Sequence, residues 1–410
     1  MRILWIKTEL LHPLDKGGRI RTYQILRSLA RQHHVTYLCL DDGLRASGAI
    51  ELAREYAQEV VVVPFRRSAK MSFGFFADLL RNLFSALPYA IARYRSHALC
   101  DQLERLAGAA DLIVCDFLMS SVNVPDGLAA AAVLFQHNVE SILWQRHASV
   151  PQPPVRRGYM RLQWQRMRRY EAQQCRRFAH VVTVSASDAE IIRREYAVTS
   201  VGYVATGVDV EYFSASRPRP RDSLELVFIG SMDWMPNDDG IRWFAADIFG
   251  RIQERVAGAR LVVVGRSPSP GIRELAARNR AIEVTGTVAD VRPYLERAAI
   301  SVVPLRVGGG TRLKIYEAMA MGVPVVSTEI GAEGLPLRNG EHLLVADTAD
   351  EQVTAICGLL TDQRRADLLA ANALRHVREH CSWDAVAESF LSQCPRRSGA
   401  SEPSYEDQVA

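Results

Sequence analysis

The sequence lacks the cysteine patterns that organise small secreted or metal-binding proteins. Its 410 residues include only seven cysteines, which are scattered and form no C-x-x-C pair. This pattern excludes a disulfide framework and a zinc cluster as organising elements. A basic leader followed by a secretory core is also lacking, because the strand-like run MRILWIKTEL starts at the first residue. We therefore expect no signal peptide and a location in the reducing cytoplasm.

Net charge is low as well. At +4 it is too weak to predict nucleic-acid binding. Positive charge is concentrated in a helix-like stretch from Arg156 to Arg177, which contains eight arginines. This stretch is either a solvated helix face or a surface that meets anionic lipid or a phosphorylated acceptor.

One apolar segment of membrane-spanning length, Met71 to Ala92, is interrupted by polar residues at helical spacing. These residues are Asp78, Arg81, Asn82 and Ser85. A narrow polar stripe on an otherwise apolar helix predicts a helix that lies in an interface and does not cross the bilayer. The interface is either the interior of the N-terminal domain or a membrane surface, so a peripheral membrane contact is a second interpretation.

Short apolar runs alternate with helix-length segments along the whole chain, which predicts an α/β fold with parallel sheets covered by helices on both faces. The first series of predicted strands is Arg2–Ile6, Val35–Leu40, Val60–Val63, Leu112–Cys115, Ala132–Phe135 and Val181–Val184. After the linker-like stretch SRPRPRDS, the second series is Leu226–Ile229, Leu261–Val264, Ile282–Thr285, Ile300–Val303, Val323–Val326 and Leu343–Val345.

Two series of strands predict two Rossmann-like, doubly wound domains that face a cleft, with the active site in that cleft. We expect an N-terminal domain over residues 1–215 and a C-terminal domain over 216–378. A tail over 395–410, rich in Ser, Pro and charge, is expected to be disordered.

The stretch VPLRVGGGTRLKIYEAMAMGVPVVS, from Val303 to Ser327, has the pattern of an anion site. A strand is followed by Gly308, Gly309 and Gly310, and a helix is predicted to begin near Thr311. Glycines let the backbone approach a ligand, and the unpaired N–H groups of a helix start attract phosphate. Two cations beside this turn, Arg312 and Lys314, would neutralise two phosphates without a metal ion.

Glu317 lies further along the same predicted helix, where a carboxylate does not suit a phosphate ligand. A carboxylate accepts hydrogen bonds from a vicinal diol, so we predict that Glu317 binds the ribose of a nucleotide. The alternative is an ordinary surface glutamate.

The EAMA sequence after a glycine-rich loop resembles the donor-binding signature of glycosyltransferase family 4. Further stretches resemble motifs of the same family in the same order, and the likeness extends from about residue 3 to residue 390. They are PLDKGGRIR (Pro13–Arg21), HNVES (His137–Ser141), VSASD (Val184–Asp188) with TGVDVEYF (Thr206–Phe213), FIGSMDWMPNDDGIRWF (Phe228–Phe244) and TGTVADV (Thr285–Val291). HCSWDAVAESFL (His380–Leu391) resembles the closing helix of the family, which implies a C-terminal helix over 379–394 that returns to the N-terminal domain.

The resemblance implies a GT-B fold, a retained anomeric configuration, no cofactor, no metal, and a donor held mainly by the C-terminal domain. It implies that His137 is catalytic, and that Arg21, Asn138 and Glu140 contact the acceptor. Lys314 and Arg312 are predicted to be catalytic from their charge beside the phosphate turn, and not from the resemblance. The implied donor-binding residues are Gly17, Gly18, Gly230, Val288, Gly309, Gly310, Thr311 and Glu317. The alternative is that His137 has a purely structural role.

Two departures from the family pattern limit what the resemblance implies. Family members often place a sugar-contacting glutamate eight positions before the ribose glutamate, where this chain has Gly309. They also often carry an arginine and a lysine after the first strand of the donor domain, where this chain reads SMDWMPND. Arg312 and Lys314 are candidates to replace those cations.

The predicted function is transfer of a sugar from a nucleotide-diphosphate sugar, with UDP or GDP as the nucleotide, to a lipid-linked or saccharide acceptor. The setting expected from the resemblance is exopolysaccharide or cell-surface glycan synthesis at the inner face of the plasma membrane. Two alternatives stay open: a nucleotide-sugar 2-epimerase of the same fold, and a non-catalytic nucleotide-sugar-binding assembly factor.

Overall fold

The computed structural model describes residues 1–14, 17–43, 48–68, 72–149, 153–216, 223–307 and 313–395. The chain divides into two compact units. The first contains Met1–Ala205 and the residues from Val386 onward, and the second is Thr206–Ala385. Most of the predicted linker and almost all of the predicted tail lie outside the described residues.

The first unit is built on a seven-stranded parallel sheet. Its strands are β1 (Arg2–Lys7), β2 (His34–Asp41), β3 (Glu59–Pro64), β4 (Leu112–Asp116), β5 (Val133–Phe135), β6 (His180–Thr183) and β7 (Val201–Tyr203). Their order across the sheet is β3-β2-β1-β4-β5-β6-β7. Six of them were predicted. The edge strand β7 was missed because its sequence, Val-Gly-Tyr, is short and buries only the valine.

Helices connect these strands. They are α1 (Gly17–Leu29), α2 (Ala49–Leu52), α3 (Phe73–Asn82), α4 (Tyr89–Ala92), α5 (His97–Ala107), α6 (Asp126–Ala129), α7 (Glu140–Ser149), α8 (Pro154–Arg177) and α9 (Ala186–Tyr196), with 3₁₀ turns at Ala53–Glu55 and Leu118–Asn123. The arginine-rich stretch is helical as predicted, because α8 spans it.

The second unit has a six-stranded parallel sheet. Its strands are β8 (Glu225–Ile229), β9 (Arg260–Val264), β10 (Ile282–Gly286), β11 (Ile300–Val303), β12 (Val325–Ser327) and β13 (Leu344–Val345), in the order β10-β9-β8-β11-β12-β13. Its helices are α10 (Met235–Trp243), α11 (Gly250–Arg255), α12 (Pro270–Arg278), α13 (Arg292–Arg297), α14 (Leu313–Ala320), α15 (Glu329–Ala332), α16 (Ala349–Thr361) and α17 (Gln363–His380), with a π-helical stretch at Phe244–Phe249.

The last helix, α18 (Trp383–Gln393), begins in the second unit, and its residues from Val386 belong to the first unit. Within the first unit, Phe390 packs against Trp5 and Phe135, with ring centroids 5.4 and 5.1 Å apart. The side chain of Phe390 is fully buried. The C-terminal helix is therefore part of the core of the first unit.

Both sheets reverse their strand order at one place, between β1 and β4 in the first unit and between β8 and β11 in the second. Strands that flank such a switch point are central, and here they are almost entirely buried. Loops after the two strands diverge there, which leaves a crevice at the carboxyl ends. We therefore expect a site among the residues that follow β1, β4, β8 and β11.

The segment from Met71 to Ala92 is not the single helix that the sequence predicted. It forms α3 and α4, separated by a turn in which Asn82 Nδ2 donates to the carbonyl of Leu87 and the N–H of Leu87 donates to Ser85 Oγ. Pro88 precedes α4 and cannot continue a helix, because it has no N–H to donate. None of the helices described by the structure is both long enough and apolar enough to cross a bilayer.

Candidate active site

The first unit holds a buried charge pair at its switch point. Lys7 ends β1 and Asp116 ends β4, and Lys7 Nζ lies 2.7 Å from Asp116 Oδ2. Thr22 and Trp5 also donate to this carboxylate oxygen, at 2.6 and 3.0 Å. Burial alone would raise the pKa of Asp116, but the charge of Lys7 and the hydrogen bonds outweigh it and hold that pKa well below its usual range. Asp116 is therefore an ionised acceptor.

His137 completes this cluster from the loop after β5. Its Nε2 lies 2.8 Å from Asp116 Oδ1, and its ring stacks on Phe117 with centroids 4.0 Å apart. Burial lowers the pKa of His137 to about 4, although Asp116 acts in the opposite direction. The imidazole is therefore neutral at pH 7. Both of its ring nitrogens are buried, and neither makes a hydrogen bond to the described residues.

The glycine pair at the start of α1 lies beside this histidine. A Cβ atom on Gly18 would be 2.7 Å from Phe117 Cζ and 3.6 Å from His137 Nδ1, whereas a Cβ atom on Gly17 would meet nothing within 4 Å. Phe117 itself has a left-handed backbone, with φ of 68°. Close packing at this turn therefore requires a glycine at position 18 and not at position 17.

The predicted acceptor residues occupy three different environments. Arg21 is buried in α1, and burial lowers its pKa to about 10 although Asp116 and Asp188 act in the opposite direction. Asn138 is exposed. Glu140 is buried at the start of α7, and burial together with the charge of Glu171 raises its pKa to about 7. Only Asn138 is thus open to solvent.

The second unit has its own cation at the switch point. Lys314, on α14, donates from Nζ to Asn237 Oδ1 at 2.8 Å and lies 4.3 Å from the centroid of the Phe228 ring. A Cβ atom on Gly230, directly after β8, would be 2.7 Å from Lys314 Nζ and 2.7 Å from Asn237 Nδ2. Because Gly230 has no side chain, the ammonium group of Lys314 has room to lie at the end of β8.

Glu317 lies three residues after Lys314, about one helical turn further along α14. It is partly buried. Burial raises the pKa of Glu317 to about 7, and the charge of Lys314 lowers it by less. The carboxyl group is therefore poised between its protonated and ionised forms near neutral pH.

Of the remaining donor residues predicted in the second unit, the structure describes only Val288. Val288 lies in the loop between β10 and α13, where it packs against the core of the second unit. Gly309, Gly310, Thr311 and Arg312 lie outside the described residues. The turn that precedes α14 therefore stays a prediction.

Sequence reasoning missed several polar residues that the structure brings to these sites. They are Lys7, Thr22, Asp116, Asn237 and Arg266. Arg266 follows β9 and donates from Nε to Ser231 Oγ at 2.6 Å, which puts a guanidinium at the loop after β8, where the expected arginine and lysine are absent. For Lys7 and Asp116 a signal was present, since each is a charged residue that ends an otherwise apolar run, RILWIK and LIVCD.

Among the residues that the structure describes, no group of His, Cys, Asp and Glu side chains is arranged to hold a metal ion. The charges at the two switch points are Lys7, Asp116 and Arg21 in the first unit and Lys314, Glu317 and Arg266 in the second. Each unit thus combines a buried or partly buried carboxyl group with cations at the carboxyl edge of a parallel sheet.

Comparisons with known proteins agree with this architecture. Residues 16–212 match the family model described as Glycosyltransferase Family 4, and residues 223–362 match the model described as Glycosyl transferases group 1. The D-inositol 3-phosphate glycosyltransferase of Rhodococcus erythropolis is 26% identical over 236 residues, which cover 52% of each chain. The phosphatidyl-myo-inositol mannosyltransferase of Mycobacterium tuberculosis is 28% identical over 202 residues, covering 46% of this chain and 52% of that one.

Among solved structures, Anabaena HepE in complex with UDP superimposes with a TM-score of 0.65, covering 96% of this chain and 99% of that one at 14% identity. At this identity the likeness shows the fold, which is the predicted GT-B type. The matched segments of the curated relatives span about half of their length.

The fold and the two family models define the class as glycosyltransferase. The chain belongs to glycosyltransferase family 4.

Proposed function

We propose that the chain is a retaining glycosyltransferase that transfers a sugar from a nucleotide-diphosphate sugar to a lipid-linked or saccharide acceptor. In this proposal the second unit binds the donor, with UDP or GDP as its nucleotide, and the first unit binds the acceptor. The process is exopolysaccharide or cell-surface glycan synthesis, in the cytoplasm at the inner face of the plasma membrane.

The observation that carries this proposal is the arrangement of Gly230, Lys314 and Glu317 in the second unit. An ammonium group lies over a strand end that has no side chain, and a carboxyl group lies one turn further along the same helix. A diphosphate needs the first feature and a ribose diol needs the second. The likeness to HepE, whose structure contains UDP, supports a nucleotide donor for this fold.

The proposed reaction is a front-face substitution. The acceptor hydroxyl oxygen forms a bond to the anomeric carbon while the bond from that carbon to the leaving phosphate oxygen breaks, and the leaving diphosphate takes the hydroxyl proton. Negative charge develops on the diphosphate, and Lys314 stabilises it. Arg312, by its charge, and the turn at Gly309, Gly310 and Thr311, by its backbone N–H groups, are predicted to assist.

The geometry of His137 narrows its part in this proposal. The resemblance allows a hydrogen bond either to the sugar or to the phosphate. A neutral imidazole brings no charge to a phosphate. We therefore assign His137 to a sugar hydroxyl, which would orient the reacting carbon.

Donor binding and transfer by single variants test the proposal. We expect Lys314→Ala and Glu317→Ala each to abolish most transfer, with a barrier increase of about 3 kcal/mol, or roughly a hundredfold in rate. Calorimetric titration with a panel of UDP- and GDP-sugars should show weakened donor binding in both variants. Glu274→Ala, an exposed glutamate of the same unit that pairs with Arg278, is the matched control and should behave as wild type.

Near-normal transfer by either variant would contradict the proposal. Two further arms of the same assay separate it from its alternatives. EDTA should leave the rate unchanged, because Lys314 and not a metal neutralises the diphosphate. Incubation with the donor alone should give no epimerised sugar, whereas epimerisation without an acceptor would favour an epimerase and binding without turnover would favour an assembly factor.

A further inference from the structure

Helix α3 carries an apolar stripe that the protein itself does not cover. Phe73 and Phe84 are 91% and 92% exposed, and Phe76, Leu80 and Leu83 between them are 51%, 65% and 41% exposed. Spacings of three and four residues place these side chains along one face of α3 and the turn after it. Apolar surface this large and continuous is unusual on a protein that meets only water. We call it the α3 ridge.

The opposite face of α3 is fixed to the first unit by polar contacts. Asp78 accepts a hydrogen bond from Ser68 at 2.7 Å, near the middle of the helix. At its end, Arg166 of α8 donates to the carbonyls of Asn82 and Leu83, both at 2.7 Å. These contacts set the rotation of the helix about its axis, so the α3 ridge is held facing outward.

Arginines lie beside and behind the α3 ridge. Arg81 is 82% exposed on α3 itself, and α8 has exposed arginines in its first two turns, before the contact of its Arg166 with the carbonyl of Leu83. On the opposite, polar face of α3, a cavity of about 490 Å³ is lined by Arg66, Arg67, Arg81 and Arg93. The acidic groups there are Asp42, which pairs with Arg67, and Asp78, 3.7 Å from Arg81. Positive charge thus exceeds negative charge around α3.

We propose that the α3 ridge and these arginines form a docking surface for an anionic lipid bilayer. Aromatic and aliphatic side chains enter the boundary between headgroups and acyl chains, while the guanidinium groups of Arg81 and of the first turns of α8 bind lipid phosphates beside them. A second copy of the chain fits less well, because a two-fold interface on this face would bring the arginines of one copy against those of the other. The docking surface rests on the proposed location at the membrane and deepens it, whereas its test does not depend on sugar transfer.

Vesicle flotation of the full chain tests this surface. We expect stronger binding to phosphatidylcholine vesicles that contain phosphatidylglycerol than to phosphatidylcholine alone, with binding that weakens as salt is raised. The double variant Phe73→Ser/Phe84→Ser should bind the anionic vesicles at least about tenfold more weakly, because two inserted rings are lost. Arg81→Gln, which removes one exposed charge, should weaken binding about fivefold.

Leu368→Ser is the matched control, because Leu368 is 63% exposed on α17 of the second unit and away from the α3 ridge. It should bind vesicles as the wild type does. All four altered positions are exposed, so the three variants should fold, and unchanged circular dichroism would verify this.

Three results would overturn the proposed docking surface. The first is that the wild type does not bind anionic vesicles, and the second is that the double variant binds them as strongly as the wild type. The third is a dimer that forms without lipid and dissociates in the double variant, which would assign the ridge to a second copy. Donor binding measured without lipid reports on the proposed function separately, so failure of one proposal leaves the other distinguishable.

Discussion

At the scale of single residues, Glu317 links the proposed donor site to pH. Its folded pKa, raised to about 7 by burial, lies above the ordinary value of 4.5. The folded chain therefore holds this proton between about pH 4.5 and 7, and the contribution of Glu317 to stability falls as pH rises through that window. A ribose diol donates to the ionised carboxyl, so donor binding must release the proton.

We expect the affinity for a nucleotide-diphosphate sugar to rise about tenfold from pH 6 to pH 8, following the ionised fraction of a group with a pKa near 7. Isothermal titration at several pH values measures this directly, because the diester phosphates of the donor do not titrate in that range. Glu317→Gln should bind more weakly and with no pH dependence. A flat pH profile in the wild type would contradict the assignment of Glu317 to the ribose.

Gly17 and Gly18 offer a second comparison at this scale, since they are adjacent and only one of them is crowded. Gly18→Ala places a methyl group 2.7 Å from Phe117 Cζ, and we expect it to destabilise the first unit by about 1–3 kcal/mol. Gly17→Ala meets no neighbour and should be neutral or slightly stabilising. Urea unfolding followed by a probe in the first unit measures the free energy of unfolding of both variants. Equal values would show that the Phe117 ring moves away from the added methyl group without a cost in stability.

At the scale of elements, the start of α7 depends on a carboxylate from α8. Glu171 accepts the N–H groups of Glu140 and Ser141 at 2.7 and 2.9 Å, and the hydroxyl of Tyr196 at 2.8 Å. These two N–H groups have no partner within their own helix, because they belong to its first turn. One buried side chain thus positions the loop that carries His137 and Asn138.

Glu171→Gln should loosen this helix start, because the amide keeps one acceptor oxygen and offers an NH₂ group to the second N–H. We expect a loss of about 1–3 kcal/mol. Hydrogen exchange at the amides of residues 140 and 141 measures it locally. Glu190→Gln, in an exposed pair with Arg193, should change stability by less than about 0.5 kcal/mol. Unchanged exchange at α7 in Glu171→Gln would mean that other groups hold the helix start.

Most strands could be predicted from the sequence, because a strand covered on both faces is a continuous apolar run. Runs such as LVFI at β8 and LVVV at β9 satisfy this pattern without help from tertiary contacts. The edge strand β7 could not be predicted, since it is defined by its pairing with β6 and not by composition. The break between α3 and α4 was missed for a similar reason: Asn82 is buried there by contacts from α8, 81 residues away in the case of Gln163.

The candidate site could be predicted only where it follows a local motif. Gly230, Lys314 and Glu317 lie in recognisable stretches, and the structure brings Gly230 and Lys314 together. Asp116 belongs to no motif, and its importance arises from Lys7, 109 residues earlier, and from His137. Buried charge pairs of this kind are invisible in sequence spacing, because their partners meet only through the order of strands in the sheet.

At the scale of the whole molecule, two units with the same strand order carry different chemistry. The switch point of the first unit buries an ion pair beside His137, and that of the second leaves Lys314 and Glu317 on one helix face. The proposed division into an acceptor unit and a donor unit predicts such a difference. The central claim is therefore that the nucleotide sugar binds at the end of β8, beside α14.

A crystal structure of the full chain with a bound UDP- or GDP-sugar tests this claim most directly. We expect a diphosphate oxygen within hydrogen-bond distance of Lys314 Nζ and the ribose hydroxyls donating to the Glu317 carboxylate. A nucleotide that binds in the first unit, or a Glu317 side chain that points into solvent beside the bound donor, would contradict it.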